Sequence, residues 1–307
     1  MVKSIPYKTA FVVNPAGGNG SALKIWSDIA FCLDKAGQKY QVYQTHSPGD
    51  GIRLARQAVK EGAELVVGVG GDGTLREIVN GLDFGKSILG IIPAGTGNGF
   101  RRSCNIPGQW EKALRGLSDW PPRFIDVGEV NGSYFLNIVG VGFDAAVEQV
   151  ASGKYHNLKG YLAYIAAFFE ELALFKSFHS AVKHNGSFYE ENDTLLVVVA
   201  NGSFYGGNMC IAPQASVDDS FLDLCLIKKM SAPVATLLAA QALLKKPLHH
   251  SSVITEKVRQ INIEADHDLP VHIDGEVIGT LPLEIKVKPA ALRIIAPATS
   301  VESEITS

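Results

Sequence analysis

The sequence predicts two parts of different fold class. The first is an α/β N-terminal domain on a Rossmann-like parallel sheet. The second is a mainly antiparallel β-sandwich domain. Three observations carry this. From residue 9 to about 100, short apolar runs alternate with helical periodicities, the pattern of βαβ units. Three of those runs end in glycine-rich loops. Beyond the rigid break Trp120-Pro121-Pro122 the chain becomes a series of strand patterns with hairpin dipeptides.

Taken in order, Thr9 to Val13 is a first strand, running into the loop Asn14-Pro-Ala-Gly-Gly-Asn-Gly20. A helix follows from Ser21 to Ala36 and stops at Gly37. Lys39 to Tyr43 is a second strand, Thr45 to Asp50 a turn, and Gly51 to Glu61 a helix ended by Gly62. Leu65 to Val69, with three valines, is a buried strand. After Gly70-Gly71-Asp72-Gly73, apolar residues at 75, 78, 79 and 82 mark one helix face. Thr74 is the expected N-cap, with Glu77 closing a capping box. Ser87 to Ile92 is another strand, ending in Pro93-Ala-Gly-Thr-Gly-Asn-Gly99. Ligands of such sheets sit beyond the carboxyl ends of the strands, where all three glycine loops fall. Strand, glycine turn and helix aim backbone N–H groups at an anion. Three loops together therefore mark a nucleotide site, although none has the Walker-type Gly-x4-Gly-Lys-[Ser/Thr] pattern.

The second part reads as strands at Phe124 to Val130, Ser133 to Val141, Ala181 to Lys183, Thr194 to Val199, Phe221 to Ile227, Gln260 to Glu264, Val271 to Ile273, Leu283 to Val287 and Leu292 to Ile295. Two helices interrupt them, Leu158 to Leu174 and Ala232 to Leu244. Asn131-Gly132 and Asn185-Gly186 are hairpin dipeptides. The expected domains are residues 1–127 and 128–287, with 288–307 as a C-terminal segment and a frayed tail from Val301 to Ser307.

Bulk properties narrow the function. A net charge of -3 argues against nucleic acid as a partner. The four cysteines lack a CxxC spacing and read as reduced thiols of a cytoplasmic protein. The N-terminus has no signal-like apolar core. No run reaches the ~18 apolar residues of a membrane span, so any membrane contact is peripheral. A homodimer is left open.

Three acidic stations stand out. Asp126 is flanked by apolar residues on a strand, and either pairs with another group, faces a cleft or is simply solvated. Asp218 and Asp219 form an acidic turn, or with loop carbonyls an oxygen cage for Mg²⁺ or Ca²⁺. Asp274-Gly275 is an ordinary type I′ hairpin signal. Alternatively, Asp274 and Glu276 lie on an extended segment and share one side, as a pair for metal binding and proton abstraction. His267, Asp268 and His272 match no standard zinc set.

In their order these motifs resemble the diacylglycerol kinase catalytic domain family, which includes bacterial lipid kinases and sphingosine and ceramide kinases, with NAD kinases as distant relatives. The likeness runs through Asn14-Pro15, Gly70 to Thr74, Pro93 to Asn98, Gly140 to Ala145, Asn201-Gly202, Gly206-Gly207, Ala212-Pro213, Asp218-Asp219 with Asp223, and Asp274-Gly275-Glu276. It implies an NAD kinase/diacylglycerol kinase-like fold with ATP held between the domains, and a C-terminal segment returning to the first domain. It implies transfer of the γ-phosphoryl of ATP to a lipid hydroxyl, on a diacylglycerol-like lipid, phosphatidylglycerol or a sphingoid base at a membrane surface. The alternatives are a kinase of a soluble hydroxyl such as NAD, or a regulator that binds nucleotide or lipid without turnover.

Residue by residue, the resemblance places Asn14, Thr45, Gly70, Gly71, Asp72, Gly73, Thr74, Leu75, Arg76, Gly95, Thr96 and Asn98 at the ATP. It places Asp72 and Asp126 at the catalytic Mg²⁺, Asp274 as general base, and Glu276 beside it on the metal. A structural Mg²⁺ would use Asp219 with the carbonyls of Ser216 and Phe221. The sequence departs from the family at Arg76, where Asn is frequent, at Gly99, where bacterial members carry Asp, and at Ser220, where Gly is usual.

Overall fold

The structure, a computed structural model, describes residues 3–155, 157–158, 161–184, 187–205, 209–277 and 279–298. The chain divides into two compact units, Met1–Ile125 with Ala290–Ser307, and Asp126–Pro289.

The first unit is built from β1 (Thr9–Val13), α1 (Ser21–Lys35), β2 (Tyr40–Gln44), α2 (Asp50–Lys60), β3 (Leu65–Gly70), α3 (Asp72–Val79), β4 (Ile88–Pro93), α4 (Gly99–Ser103) and α5 (Trp110–Asp119). The strands pair in parallel in the order β2-β1-β3-β4. Strands β1, β3 and β4 are buried along their whole length. That is why they read as continuous apolar runs rather than alternating ones. Helix α1 buries Ala22, Trp26, Ile29 and Leu33, one face at helical spacing, and Trp26 packs on Phe11 with ring centroids 5.2 Å apart. Gly37, at φ +65°, ends it, with the Gln38 amide returning to the Leu33 carbonyl. Helix α5 is not among the expected elements, although its apolar residues at 113, 114 and 117 have helical spacing. It turns Ala113, Leu114 and Leu117 inward from an otherwise polar stretch.

The second unit contains β5 (Pro122–Val130), whose first residues belong to the first unit, then β6 (Ser133–Phe135), β7 (Ile138–Gly142), α6 (Phe143–Gly153), α7 (Tyr161–Leu174), β8 (Phe178–His184), β9 (Ser187–Ala200), β10 (Phe204–Tyr205), β11 (Met209–Cys210), β12 (Leu222–Lys228), α8 (Ala232–Leu243), β13 (Val253–Val258), β14 (Gln260–Ala265), β15 (Val271–Ile273), β16 (Glu276–Val277) and β17 (Leu283–Ile295), whose last residues, from Ala290, belong to the first unit. Pairing is antiparallel: β15 joins β16 and β7, β9 joins β7, β8 and β12, and β14 joins β8 and β17. Side chains alternate across this sheet. Val139, Val197, Val199 and Leu224 enter one core with Ile261 and Ile285. Ile138, Val198, Ala200 and Cys225 enter another with Phe143 of α6, Ala167 of α7 and Leu238 of α8. One face therefore closes the sandwich and the other is covered by helices.

Several expectations change. The single strand expected over Ser133 to Val141 breaks at Leu136-Asn137, whose amides bond elsewhere. Helix α6 was missed because its inward face carries Asp144 and Glu148 among apolar residues. The strands expected at 283–287 and 292–295 are one strand, β17. Its first residues pair with β14, and Arg293 and Ile294 pair with β4. Asn185-Gly186, Gly206-Gly207 and Val301 to Ser307 lie outside the described residues.

Candidate active site

In the first unit, sheet register decides which loops meet. Val13 lies opposite Val69, and Gly70 opposite Pro93, so β1, β3 and β4 release their loops side by side. Backbone bonds tie the exits. The Asn14 amide donates to the Val69 carbonyl at 3.0 Å, Thr45 to Val13 at 2.9 Å, and Ala94 to Gly70 at 3.0 Å. A Cβ on Gly95 would lie 2.4 Å from the Gly71 Cα, so these two loops touch backbone to backbone. Glycine is required by that approach rather than by torsion.

Asn14 and Thr74 join the first two loops: Asn14 Nδ2 donates to Thr74 Oγ1 at 3.0 Å. Asp72 joins the second and third. Its carboxylate accepts the amides of Gly99 at 2.8 Å and Phe100 at 3.0 Å. Burial pushes the Asp72 carboxyl above its usual range, opposed by those two amides and by Arg102 and Arg101. Position 99 is glycine, and Asp72 binds its backbone amide. Asn98, at φ +51°, closes the third loop on Gly95 with bonds in both directions.

The capping box expected at Thr74 and Glu77 is corrected. Helix α3 begins at Asp72, its N-cap is Gly71, and no side chain caps it. Glu77 is buried and accepts the amides of Gly49 at 2.7 Å and Gly51 at 2.8 Å, so it caps α2. Leu75 is buried, and its amide donates to Gly71. Of the other residues expected at the nucleotide, Thr45, Gly73 and Arg76 are half-buried and Thr96 is exposed.

In the second unit the acidic stations are far more constrained than their sequences suggest. Asp126 is 2% exposed. Its amide donates to the Val217 carbonyl and its Oδ2 accepts the Ser220 amide, both at 2.6 Å. It is therefore bonded to the 216–221 loop. In that loop Ser216 Oγ donates to Asp218 at 2.6 Å, and Ser220 takes φ +67°, the left-handed torsion that glycine would adopt without strain.

Asp274 and Gly275 both have positive φ, +50° and +86°, and lie between the paired residues Ile273 and Glu276. The hairpin reading holds and the extended one is corrected: a tight turn separates Asp274 from Glu276. The Asp274 carboxylate is buried and accepts three amides, Leu136 at 2.8 Å on Oδ2, and Asn137 at 2.8 Å and Ile138 at 2.9 Å on Oδ1. Those three residues, unmarked in sequence, bridge the break between β6 and β7. Asn201 supports them from beside, its amide donating to the carbonyls of Leu136 and Asp126.

A further polar network was not anticipated. His272 Nε2 meets Asp144 Oδ2 at 2.7 Å, both fully or nearly buried, and Tyr164 donates to Glu148 at 3.1 Å. Burial would lower the His272 pKa, but Asp144, with Glu148 and Asp274, carries it above the ordinary value. Burial raises that of Glu148. A Cβ on Gly140 would strike Asp144 Oδ2 and His272 Nε2, so this glycine makes the room for the pair.

Next to Asp144 lies a cavity of about 300 Å³, bordered by α6, α7 and α8 and walled by Phe143, Phe168, Leu196, Ile211, Leu238 and Ala239. Among the described residues, no helix is long and apolar enough to cross a membrane.

Residues 8–130 match the diacylglycerol kinase catalytic domain, and residues 137–296 the YegS C-terminal NAD kinase beta sandwich-like domain. Fold and matched domains together define a kinase acting on a hydroxyl acceptor. The chain belongs to the diacylglycerol kinase family. It is 28% identical over 302 residues to a diacylglycerol kinase of Staphylococcus aureus (strain bovine RF122 / ET3-1), covering 98% of this chain and 96% of that one. The same enzyme of strain MRSA252 is 28% identical over 300 residues. A crystal structure from Bacillus anthracis str. Sterne superposes with a TM-score of 0.78 at 25% identity, over 95% of this chain and 98% of that one. A crystal structure of a diacylglycerol kinase from the same organism gives 0.74 at 24% identity.

Proposed function

We propose that this chain transfers the γ-phosphoryl group of ATP to the hydroxyl of an acyl-chain lipid. The observation that carries the lipid class is the cavity under α6, α7 and α8, with its wall of aromatic and aliphatic side chains. An NAD-like acceptor would need polar partners along its length, whereas this wall suits acyl chains. Leu162 and Phe169 on α7, and Leu237 on α8, are exposed apolar residues on helices that also wall the cavity. They are the proposed peripheral contact with the membrane that supplies the lipid.

The nucleotide is assigned to the three glycine loops of the first unit. Phosphoryl transfer requires positioning and charge neutralisation more than covalent chemistry. Backbone amides of the Gly70–Gly73 and Gly95–Asn98 loops, with Arg76 nearby in α3, supply part of that neutralisation. Mg²⁺, if bound with the triphosphate, would supply the rest. In the first unit Asp72 is the carboxylate proposed for metal binding, and in the second unit Asp126 is. Two amides on Asp72 leave acceptor capacity on a group with about four lone-pair sites.

For the base we propose Glu276 in place of Asp274. Taking a proton on Asp274 would disturb three short amide bonds, and its geometry suits an anchor of the hairpin. Glu276, the first residue past the turn, is only half-buried. A carboxylate base adds about 10²–10⁴ in rate.

The test is incubation with γ-labelled ATP and, separately, diacylglycerol, phosphatidylglycerol, sphingoid bases and NAD. Label in the organic extract supports the proposal. Label confined to the aqueous phase replaces the lipid with a soluble acceptor. ATP binding without transfer makes the chain a regulator.

A further inference from the structure

Family resemblance puts a structural divalent ion on Asp219 and the carbonyls of Ser216 and Phe221, and the side chains here do not fit it. Both Asp219 oxygens have partners, and one of those partners already carries a positive charge. Oδ1 accepts the Phe221 amide at 3.0 Å, and Oδ2 takes the ammonium of Lys257. The same ammonium faces Asp223 Oδ2 at 3.7 Å. The Asp223 side chain is 2% exposed, and burial pushes its carboxyl up to about 6 against the pull of Lys257. Lys257 is not delivered by a loose loop. It lies directly opposite Asp223 in the register of β12 and β13, at the distance where opposite charges pair across strands.

A second positive group is close by. The Phe221 ring has the Arg259 guanidinium 4.7 Å and the Lys257 ammonium 5.9 Å from its centroid. A divalent ion on Asp219 would meet the Lys257 ammonium already there. Among the described residues, no group of three or more His, Cys, Asp or Glu is arranged to hold a metal.

We propose that the Lys257 ammonium is the resident counter-cation of Asp219 and Asp223, so the 216–221 loop is built without a divalent ion. The loop matters because it binds Asp126 at two points, through Val217 and Ser220. Lys257 supplies that loop with its cation. It keeps a cation in place at any divalent-ion concentration, which a released metal does not.

The experiment is thermal unfolding of the full chain in nucleotide-free buffer, with and without millimolar Mg²⁺, for wild type, Asp219→Asn, Lys257→Met and Lys257→Arg. It needs no kinase activity, so its outcome is separable from that of the lipid-kinase reading. The wild type is expected to show the same Mg²⁺ response as Asp219→Asn. Lys257→Met is expected to lower the metal-free Tm by about 2–4 °C, and Lys257→Arg, which keeps the charge, to hold it. A Mg²⁺-dependent rise in the wild type that Asp219→Asn abolishes would overturn the proposal. So would a Lys257→Met protein with unchanged Tm. Should Lys257→Met fail to fold while Lys257→Arg folds, the need for a cation is upheld.

Discussion

Asp274→Asn separates two roles for the acidic hairpin. In the wild type, Oδ1 accepts two amides and Oδ2 one. Asparagine keeps an oxygen at Oδ1 but puts an NH₂ where Oδ2 was, facing the Leu136 N–H. A buried donor left without an acceptor costs about 1–3 kcal/mol. The two surviving bonds fall from a charged to a neutral acceptor, a loss of roughly 1 kcal/mol each. The sum is about 3–5 kcal/mol, confined to the second unit. All three tryptophans, Trp26, Trp110 and Trp120, lie in the first unit, so their fluorescence does not report on the hairpin directly. Amide hydrogen exchange is the suitable assay. At 3 kcal/mol, exchange at Leu136, Asn137 and Ile138 accelerates by about two factors of ten. Glu276→Gln should leave that protection unchanged and lower turnover by about 10²–10⁴. An Asp274→Asn protein that keeps its protection but loses turnover would refute the anchor role and return the base to Asp274.

Three more outcomes follow from the same geometry. Gly95→Ala forces apart the loops that touch at Gly71, so ATP affinity by calorimetry should fall about tenfold or more, while Gly153→Ala, with open space at its Cβ, should not change it. Ala239→Phe fills the cavity, and should lower turnover of long-chain lipid with ATP affinity retained. His272 has a folded pKa raised above 6.5, so the stability it contributes with Asp144 is present below 6.5 and lost as pH rises through the folded value. NMR titration should show its midpoint above 6.5, and a midpoint at or below that would contradict the pairing.

What was legible in the sequence was whatever depends on local periodicity and short-range chemistry. Strands β1, β3 and β4 could be read because both of their faces are buried, which leaves unbroken apolar runs. The three glycine loops followed, since glycine is needed wherever backbone meets backbone. The Asp274-Gly275 hairpin was legible too, although the extended alternative competed with it. Helix α6 was not, because its buried Asp144 and Glu148 break the pattern that burial normally writes.

Polar side chains found their partners only in the folded chain. Glu77 sits three residues after Thr74, which reads as a capping box, yet it bonds Gly49 and Gly51, 28 and 26 residues away. Asp274 reaches Leu136 across 138 residues, and Asp219 reaches Lys257 across 38. A carboxylate's bonding capacity is a property of the residue, but which amides or ammonium satisfy it is set by strand register and loop exit. For that reason composition and spacing sufficed for the fold class and the glycine loops. The division of labour among the acids was decided by tertiary structure, because burial forces each charge onto whichever donor the sheet brings to it.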